Sequence, residues 1–224
     1  MIQHSQDLDP KRYIEHTLLK NSASEEEVLQ EINVALETKS LGLCLFPAWL
    51  KVATETMKAK PQQPILVSVF SFPHGLDSTR SKINQAEELL ALGAQELDFV
   101  QNLSLVKSKC WKKLEEEFLE IRKNIAPETP LKVILETALL SEEEIYQSAL
   151  LAHNAGIDFI KTSTGFSSRG ASLKDVEIIQ KIPNVRIKAS GGIRSYSEIK
   201  KYIEAGVERV GCSATLEIMK GYNK

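Results

Sequence analysis

Two lysines and one aspartate interrupt apolar segments whose composition is typical of β-strands. Lys161 lies in DFIKTS, Lys188 in RIKAS and Asp98 in ELDFV. A lysine that has lost its proton is a nucleophile that forms a Schiff base with a carbonyl compound. A carboxylate beside it can act as a counter-ion or pass a proton. If the fold brings the three side chains together, they predict amine-dependent carbonyl chemistry.

The two lysines would influence each other if their strands were neighbours. Side-chain alternation places Lys161 on the same face as Phe159 and Ser163, and Lys188 lies near the end of the next predicted strand. Each ammonium group disfavours the other's charge, and burial adds to this, so one lysine is expected to be a free amine near neutral pH. The alternative is that the lysines extend to solvent or pair with carboxylates. For Asp98, a structural counter-ion and a proton relay both remain open.

Short apolar runs rich in β-formers recur along the chain and alternate with longer charged segments. Their mean spacing is that of one βα unit, about 25–30 residues. The eight candidate strands begin near Glu15, Leu41, Ile65, Glu96, Leu131, Ile157, Val185 and Glu208. Helical periodicity is present between them in segments 23–38, 81–92, 112–125, 141–155, 172–181 and 195–204.

Eight βα units build either a doubly wound sheet or a closed barrel. The charged residues in the apolar runs are Asp98, Lys132, Lys161 and Lys188. An open sheet covered by helices on both faces tolerates such residues poorly, whereas the upper interior of a barrel opens to an active site. We therefore predict an α/β fold, a single (β/α)8 TIM barrel with a short N-terminal helical extension, that forms one catalytic domain over residues 1–224.

The composition excludes several classes of protein. The 224 residues contain 28 Lys and Arg against 30 Asp and Glu, a formal net charge of -2, which argues against a nucleic-acid partner. The apolar runs fall short of the roughly 18–20 residues that span a membrane, so no membrane partner is expected. The three cysteines are far apart in the sequence and fit reduced thiols. Since the N-terminal segment shows no secretory signal, we expect a cytoplasmic protein.

Neither a metal nor an organic cofactor is expected. The histidines, His4, His16, His74 and His153, lie on separate predicted elements and do not have the spacing of metal ligands. The glycines of ASGGI do not follow a dinucleotide-binding pattern. We expect His74 to be a turn residue and Cys44 to be a buried, inert thiol.

Six segments resemble the deoxyribose-phosphate aldolase family: EHTLLK at 15–20, FPHG at 72–75, ELDFVQN at 96–102, KVILETALL at 132–140, KTSTGF at 161–166 and KASGGIR at 188–194. They occur in order along nearly the whole chain, and the last two together are specific. The resemblance implies a (β/α)8 barrel and a class I aldolase without a cofactor. Such an enzyme reversibly cleaves 2-deoxy-D-ribose 5-phosphate to D-glyceraldehyde 3-phosphate and acetaldehyde.

The resemblance also implies roles for individual residues. It assigns the Schiff base to Lys161, an assisting role to Lys188 and a proton relay to Asp98. Three further residues are expected to support them: Thr17, Lys132 and Glu136. In barrels, phosphate commonly binds at the loops after strands 7 and 8, where glycine lets the backbone approach an anion. The candidate ligands for a sugar phosphate are Gly165, Arg169, Gly191, Gly192, Gly211 and Ser213.

The chain departs from the family pattern at several positions. Glu15 stands where aspartate is usual, Ala214 replaces a serine, and Arg169 lies where glycine is common. Arg169 either replaces the lost hydroxyl as a phosphate ligand or is a solvated surface residue. Two other functions compete: a Schiff-base barrel aldolase with a different donor or acceptor, and an inactive barrel that binds a sugar phosphate. A homodimer is the candidate assembly.

Overall fold

A computed structural model describes residues 8–222, and in this part of the chain eight parallel strands close into a barrel in sequence order. The strands are β1 (Ile14–Leu18), β2 (Gly42–Leu45), β3 (Ile65–Phe70), β4 (Glu96–Val100), β5 (Leu131–Ile134), β6 (Phe159–Lys161), β7 (Ile187–Ser190) and β8 (Arg209–Cys212). All eight predicted strands are confirmed, and so is the (β/α)8 barrel.

Helices cover the outside of the barrel. Within the described residues they are α1 (Glu25–Thr38), α2 (Leu50–Met57), α3 (Thr79–Ala91), α4 (Leu103–Lys107), α5 (Trp111–Lys123), α6 (Glu142–Asn154), α7 (Leu173–Ile179), α8 (Tyr196–Glu204) and α9 (Thr215–Tyr222). The six predicted helical segments are confirmed, with ends that differ by a few residues. The sequence analysis missed α2, α4 and α9.

A short 3-10 helix, Pro10–Arg12, precedes β1. The Asp9 side chain begins it by accepting a hydrogen bond from the backbone N–H of Lys11. This turn is the part of the predicted N-terminal helical extension that lies in the described region, whereas residues 1–7, His4 among them, lie outside it.

Five of the described helices that follow loops at the mouth of the barrel begin at serine N-caps, α1 and α6 among them. At the start of α1, Ser24 and Glu27 form a capping box, in which each side chain bonds the other's backbone N–H. Ser141 and Glu144 form the same motif at the start of α6. Acidic first turns add to this effect, since they face the positive end of the helix dipole. These caps define where the loops end and the helices begin.

The apolar core lies mainly between the strands and the surrounding helices. The rings of Phe70 and Phe99 stack with centroids 5.2 Å apart, and Phe118 of α5 meets Phe99 edge-on at 6.1 Å. Trp49 and Trp111 pack against this core, as expected. The interior of the barrel differs, since it holds buried charged side chains. In residues 8–222 no helix has the length and apolarity needed to cross a membrane.

Candidate active site

The strand register places the predicted catalytic residues and Lys132 in two pairs on neighbouring strands of the barrel. Lys161 of β6 lies directly opposite Lys188 of β7, and Asp98 of β4 lies opposite Lys132 of β5. All four are buried, with at most 2% of the residue exposed. Because β6 and β7 are adjacent, the two lysines meet as the alternation of side chains predicts.

One carboxylate joins the three lysines. Asp98 Oδ2 accepts hydrogen bonds from Lys161 Nζ at 2.8 Å and from Lys188 Nζ at 2.7 Å. Its other oxygen, Oδ1, accepts from Lys132 Nζ at 3.0 Å. Lys132, expected to act in support, is therefore a direct partner of Asp98. The lysines do not extend to solvent but pair with carboxylates, and such pairing was part of the alternative left open by the sequence.

Two further carboxylates complete a charged cluster inside the barrel. Glu15 accepts a hydrogen bond from Lys188 and lies 3.7 Å from Lys132 Nζ. Glu96 lies 2.6 Å from the same Lys132 Nζ and 3.4 Å from the guanidinium of Arg209. Three carboxylates thus face three lysines and one arginine, so the cluster contains one more cationic side chain than carboxylates.

Gly42 of β2 makes room for Glu15, the residue that departs from the family's usual aspartate. A Cβ atom at position 42 would lie 3.1 Å from Glu15 Cγ and 3.2 Å from the carbonyl oxygen of Ile65. These distances are tight for a carbon atom in a packed interior. The absence of a side chain at position 42 therefore accommodates the longer carboxylate that contacts Lys188.

The charges in the cluster shift the pKa values of Asp98, Lys132 and Lys188. Burial raises the pKa of Asp98, but Lys132, Lys161 and Lys188 outweigh burial and hold that pKa well below its ordinary value. Burial lowers the pKa of Lys188, but Asp98 and Glu15 outweigh it and raise the pKa above its ordinary value. The pKa of Lys132 is also raised, for the same kind of reason. Asp98, Lys132 and Lys188 are therefore charged at neutral pH.

A cavity of about 340 Å³ opens above the cluster at the carboxyl ends of the strands. Of the three clustered lysines, Lys161 is the one that lines it. The other lining residues lie at the carboxyl ends of β1, β7 and β8 or in the segments after β1, β6, β7 and β8: Thr17, Leu18, Leu19, Lys20, Thr164, Gly165, Phe166, Ser190, Gly191, Gly192, Ile193, Arg194, Gly211, Cys212 and Ser213. This is the end of the barrel at which TIM-barrel enzymes have their active sites.

Five of the six predicted phosphate ligands line this cavity, and their glycines differ in what they do. Gly165 and Gly192 have φ of +91° and +80°, and a Cβ on either would meet no atom within 4 Å. Their backbone is therefore open to the cavity and can approach an anion. At Gly191 a Cβ would lie 2.8 Å from the Cα of Gly170, so that glycine allows two loops to pack closely. Ser213, the one of the five that is not a glycine, is exposed at the rim.

Gly211 lies beside the catalytic cluster. A Cβ there would lie 3.3 Å from Lys188 Cε and 3.2 Å from Ser190 Cβ. Because position 211 has no side chain, there is space for the aliphatic part of the Lys188 side chain inside the barrel. Thr17, expected in a supporting role, also lines the cavity, and its hydroxyl donates to the carbonyl oxygen of Glu15 at 2.9 Å.

Arg169 does not line the catalytic cavity, and its phosphate contact stays a prediction. Its guanidinium forms a bidentate pair with Asp175 at 2.6 and 3.0 Å. It also donates to the backbone carbonyl oxygens of Thr137 and Gly170. These four acceptors hold the arginine at the base of its loop, because a bidentate carboxylate pair is among the strongest contacts a guanidinium makes.

Two cationic residues that the sequence analysis did not single out line the cavity instead. Arg194 follows the glycine pair of the loop after β7, and Lys20 lies in the segment after β1. Lys20 also lies 2.5 Å from the carboxylate of Glu27. The signal for Arg194 was present in KASGGIR, since a cation next to an exposed glycine loop is typical of anion sites.

The remaining candidates lie around the mouth. Glu136 lies two residues beyond the end of β5, and with the exposed His74 it lines a second cavity of about 330 Å³. The two cavities share Thr164 and Phe166. Cys44 is buried as expected, and burial raises the pKa of its thiol to about 11. Among residues 8–222, no three His, Cys, Asp or Glu side chains form a group that could bind a metal ion.

Comparison with known proteins agrees with this geometry. Residues 16–218 match the model of the DeoC/LacD family of aldolases. The chain is 41% identical over 212 residues to deoxyribose-phosphate aldolase of Streptococcus sanguinis, covering 94% of this chain and 95% of that protein. The solved aldolase QR15 superposes with a TM-score of 0.89 at 37% identity, covering 96% of both chains.

A third relative has a known assembly. The tetrameric deoxyribose phosphate aldolase of Aeropyrum pernix has a TM-score of 0.83 and 26% identity, and the match covers 96% of this chain and 91% of that chain. These relatives share the architecture along almost the entire length of the protein described here.

Proposed function

The chain belongs to the DeoC/LacD family of aldolases, and we propose that it reversibly cleaves 2-deoxy-D-ribose 5-phosphate to D-glyceraldehyde 3-phosphate and acetaldehyde through a Schiff base on Lys161. The observation that carries the proposal is the position of Lys161. It lines the cavity while it shares Asp98 with the fully enclosed Lys188. Of the three lysines in the cluster, Lys161 is thus the one that a substrate in the cavity can reach.

Lys161 acts as the nucleophile. Its Nζ attacks the C1 aldehyde of the ring-opened sugar, and loss of water from the carbinolamine leaves an iminium ion. Removal of the proton from the C3 hydroxyl breaks the C2–C3 bond, whose electron pair moves into the iminium. The products are glyceraldehyde 3-phosphate and an enamine of acetaldehyde. Protonation of the enamine at C2 and hydrolysis then free acetaldehyde and restore the lysine.

Asp98 and Lys188 move the protons. The carboxylate accepts from both amines, so it lies where a proton must pass between the reacting nitrogen and its neighbour. Lys188 is held charged by Asp98 and Glu15 and serves as the donor, with a bound water as the link to the substrate carbon. Lys132 stabilises the ionised form of Asp98 from the side away from the cavity.

The phosphate group binds at the other end of the cavity. The open backbone of Gly165 and Gly192, the Ser213 rim and the Arg194 side chain provide its contacts. A phosphate placed there leaves the aldehyde end of a five-carbon sugar directed toward Lys161. The same separation of the two ends favours a sugar phosphate over a ligand without an anionic group.

The chain acts as one catalytic domain that needs no cofactor, and the supporting observation is that a single barrel contains the complete cluster. The homodimer and the cytoplasmic location stay predictions; size-exclusion chromatography with light scattering tests the former. An inactive barrel would have to explain why two adjacent lysines share one buried carboxylate, whereas an aldolase with a different acceptor would use the same cluster.

Borohydride trapping tests the function. The protein is incubated with acetaldehyde, reduced, digested and mapped by mass spectrometry, and cleavage of 2-deoxy-D-ribose 5-phosphate is measured in parallel. We expect a reduced two-carbon adduct on the peptide that contains Lys161, together with turnover. Labelling that maps to Lys188 would reject the assignment of the nucleophile, and labelling without turnover would favour a different acceptor.

A further inference from the structure

Glu136 is a buried acid next to the active site that the reaction as described does not use. It is 4% exposed, and its backbone has φ of +58°, a left-handed conformation that is unfavourable for a non-glycine residue. Its Oε2 accepts a hydrogen bond from the hydroxyl of Thr164, and its Oε1 has no hydrogen-bond partner among the described residues. Such backbone strain persists where the surroundings require it.

The residues on either side of Glu136 hold the segment that begins at the catalytic lysine. The backbone N–H of Leu135 donates to the carbonyl oxygen of Lys161 at 2.9 Å, and that of Thr137 donates to the carbonyl oxygen of Thr162 at 3.0 Å. The Glu136 side chain adds a third contact farther along, at Thr164. The end of β5 is thus attached at three successive points to the chain that leaves β6.

Thr164 transmits this contact to the wall of the catalytic cavity. Its hydroxyl oxygen also accepts from the backbone N–H of Phe166 at 3.0 Å, which fixes the turn around Gly165. A hydroxyl has one proton to donate. Because Glu136 accepts that proton, the lone pairs of the hydroxyl remain for the N–H of Phe166. Gly165 and Phe166 line the catalytic cavity beside the proposed phosphate contacts.

We propose that Glu136 is a positioning residue, which acts through Thr164 to hold the Thr164–Phe166 turn in the form that binds the phosphorylated end of the substrate. The inference rests on the proposed function, since it names what shapes that function's binding site. It assigns Glu136 to substrate binding and not to the carbon–carbon bond cleavage at Lys161.

The environment of Glu136 predicts that substrate binding depends on pH. Burial raises the pKa of Glu136, and the Thr164 hydrogen bond, Lys161 and Arg169 oppose this only in part. Lys107 and His74 are the other titratable side chains that line the adjoining cavity. The carboxylate therefore takes up its proton above pH 4.5, the ordinary value, and a protonated acid is the weaker acceptor for Thr164.

The first experiment measures the cleavage of 2-deoxy-D-ribose 5-phosphate and the rate of borohydride trapping with acetaldehyde in matched variants. We expect Glu136→Leu to raise KM about tenfold, the size of one charge-assisted hydrogen bond, with a smaller change in kcat. Trapping should stay near the wild-type rate, because acetaldehyde has no phosphate. Glu136→Gln, which keeps an acceptor oxygen but loses the negative charge, should restore KM only in part, and the exposed Glu143→Leu serves as the control.

Thr164 provides the second pair of variants. Thr164→Val removes the hydroxyl with little change of shape and should reproduce the rise in KM, whereas Thr164→Ser should not. If Glu136→Leu does not fold, these two Thr164 variants still test the proposal. An unchanged KM in Thr164→Val overturns the proposal, as does an equal loss of kcat and trapping rate in Glu136→Leu.

The third measurement compares pH profiles of KM for the wild type and Glu136→Gln. The wild-type KM should rise more steeply as the pH falls from neutral toward 4.5, since the glutamine does not titrate. Use of one substrate in both proteins cancels the ionisation of its phosphate. Parallel profiles would overturn the proposal. Failure of the proposed function is distinct, because then the wild type itself forms no adduct on Lys161.

Discussion

Two fully buried lysines in this protein have opposite electrostatic outcomes. Lys82 of α3 pairs with Glu117 of α5 at 2.8 Å and donates to the carbonyl oxygen of Val100 at 3.1 Å, between the helices and the barrel. Lys188 lies inside the barrel and donates to Asp98 and Glu15. Burial lowers the pKa of Lys82, and its carboxylate offsets this only in part. At Lys188 two carboxylates outweigh burial, and the pKa is raised.

The contrast shows that a buried lysine is not by itself the mark of an active site. Lys82 ties two helices to the end of β4, which is a structural task. Lys188 shares its carboxylate with Lys161, and Lys161 lines a cavity. A carboxylate common to two amines and access for a substrate are the features that separate the catalytic cluster from the structural pair.

The largest expected effect comes from the nucleophile. Lys161→Ala should abolish both borohydride trapping and turnover, because in residues 8–222 no other amine that lines the cavity contacts Asp98. The matched control is the double variant Lys82→Met, Glu117→Leu. It replaces the structural pair with apolar side chains, a change that is often neutral for stability, and it should still trap acetaldehyde. Persistent labelling in Lys161→Ala, or its loss in the control, would break the comparison.

The carboxylates provide the second test. Asp98→Asn should lower kcat by about 10²–10⁴-fold, the usual size of a general acid–base contribution. Glu117→Gln should leave kcat within a few-fold of the wild type and lower the Tm, since breaking one partner of a buried ion pair costs about 3–5 kcal/mol. Steady-state kinetics and thermal unfolding measured on the same preparations separate the two outcomes. Similar kcat values in both variants would remove the functional distinction between the sites.

The third test addresses the charge of Lys188. Since its raised pKa keeps it protonated through neutral pH, it acts as a fixed positive charge beside the nucleophile. Lys188→Met removes this charge, and residual trapping should then need a pH higher by about one unit or more. The measurement is the adduct yield on the Lys161 peptide against pH. An unshifted profile would mean that the charge of Lys188 does not affect the reactivity of Lys161.

The smallest expected effect comes from two arginines, of which Arg194 lines the catalytic cavity and Arg169 does not. Arg194→Ala should lower kcat/KM for the phosphorylated substrate about two- to fivefold, the size of an exposed ionic contact, and leave unphosphorylated deoxyribose unaffected. Arg169→Ala should change both substrates equally, because Asp175 and the loop carbonyls hold it outside the cavity. A loss in Arg169→Ala confined to the phosphorylated substrate would restore it as a phosphate ligand.

The strand pattern could be predicted because each strand carries its own signal. All eight strands and six helices follow from local periodicity and short runs of β-formers. The missed helix α2 has Leu50, Ala53 and Met57 buried on one stripe, but a 3-10 turn at Pro47–Trp49 joins it to the preceding apolar run. α4 has only five residues, too few for periodicity to show.

The sequence by itself determined the order of the βα units, the barrel and the residue types that do the chemistry, because these depend on periodicity and on motifs within short segments. Tertiary structure alone decided which charges meet. Glu15 and Asp98 are far apart in the chain, yet the closure of β1 against β8 brings both to Lys188. Arg169 is the opposite case, because its partner is close in the sequence. Asp175 lies only six residues away, and its carboxylate holds the guanidinium outside the cavity. Contact energies depend on distance in space, and spacing along the chain does not report that distance once a barrel has closed.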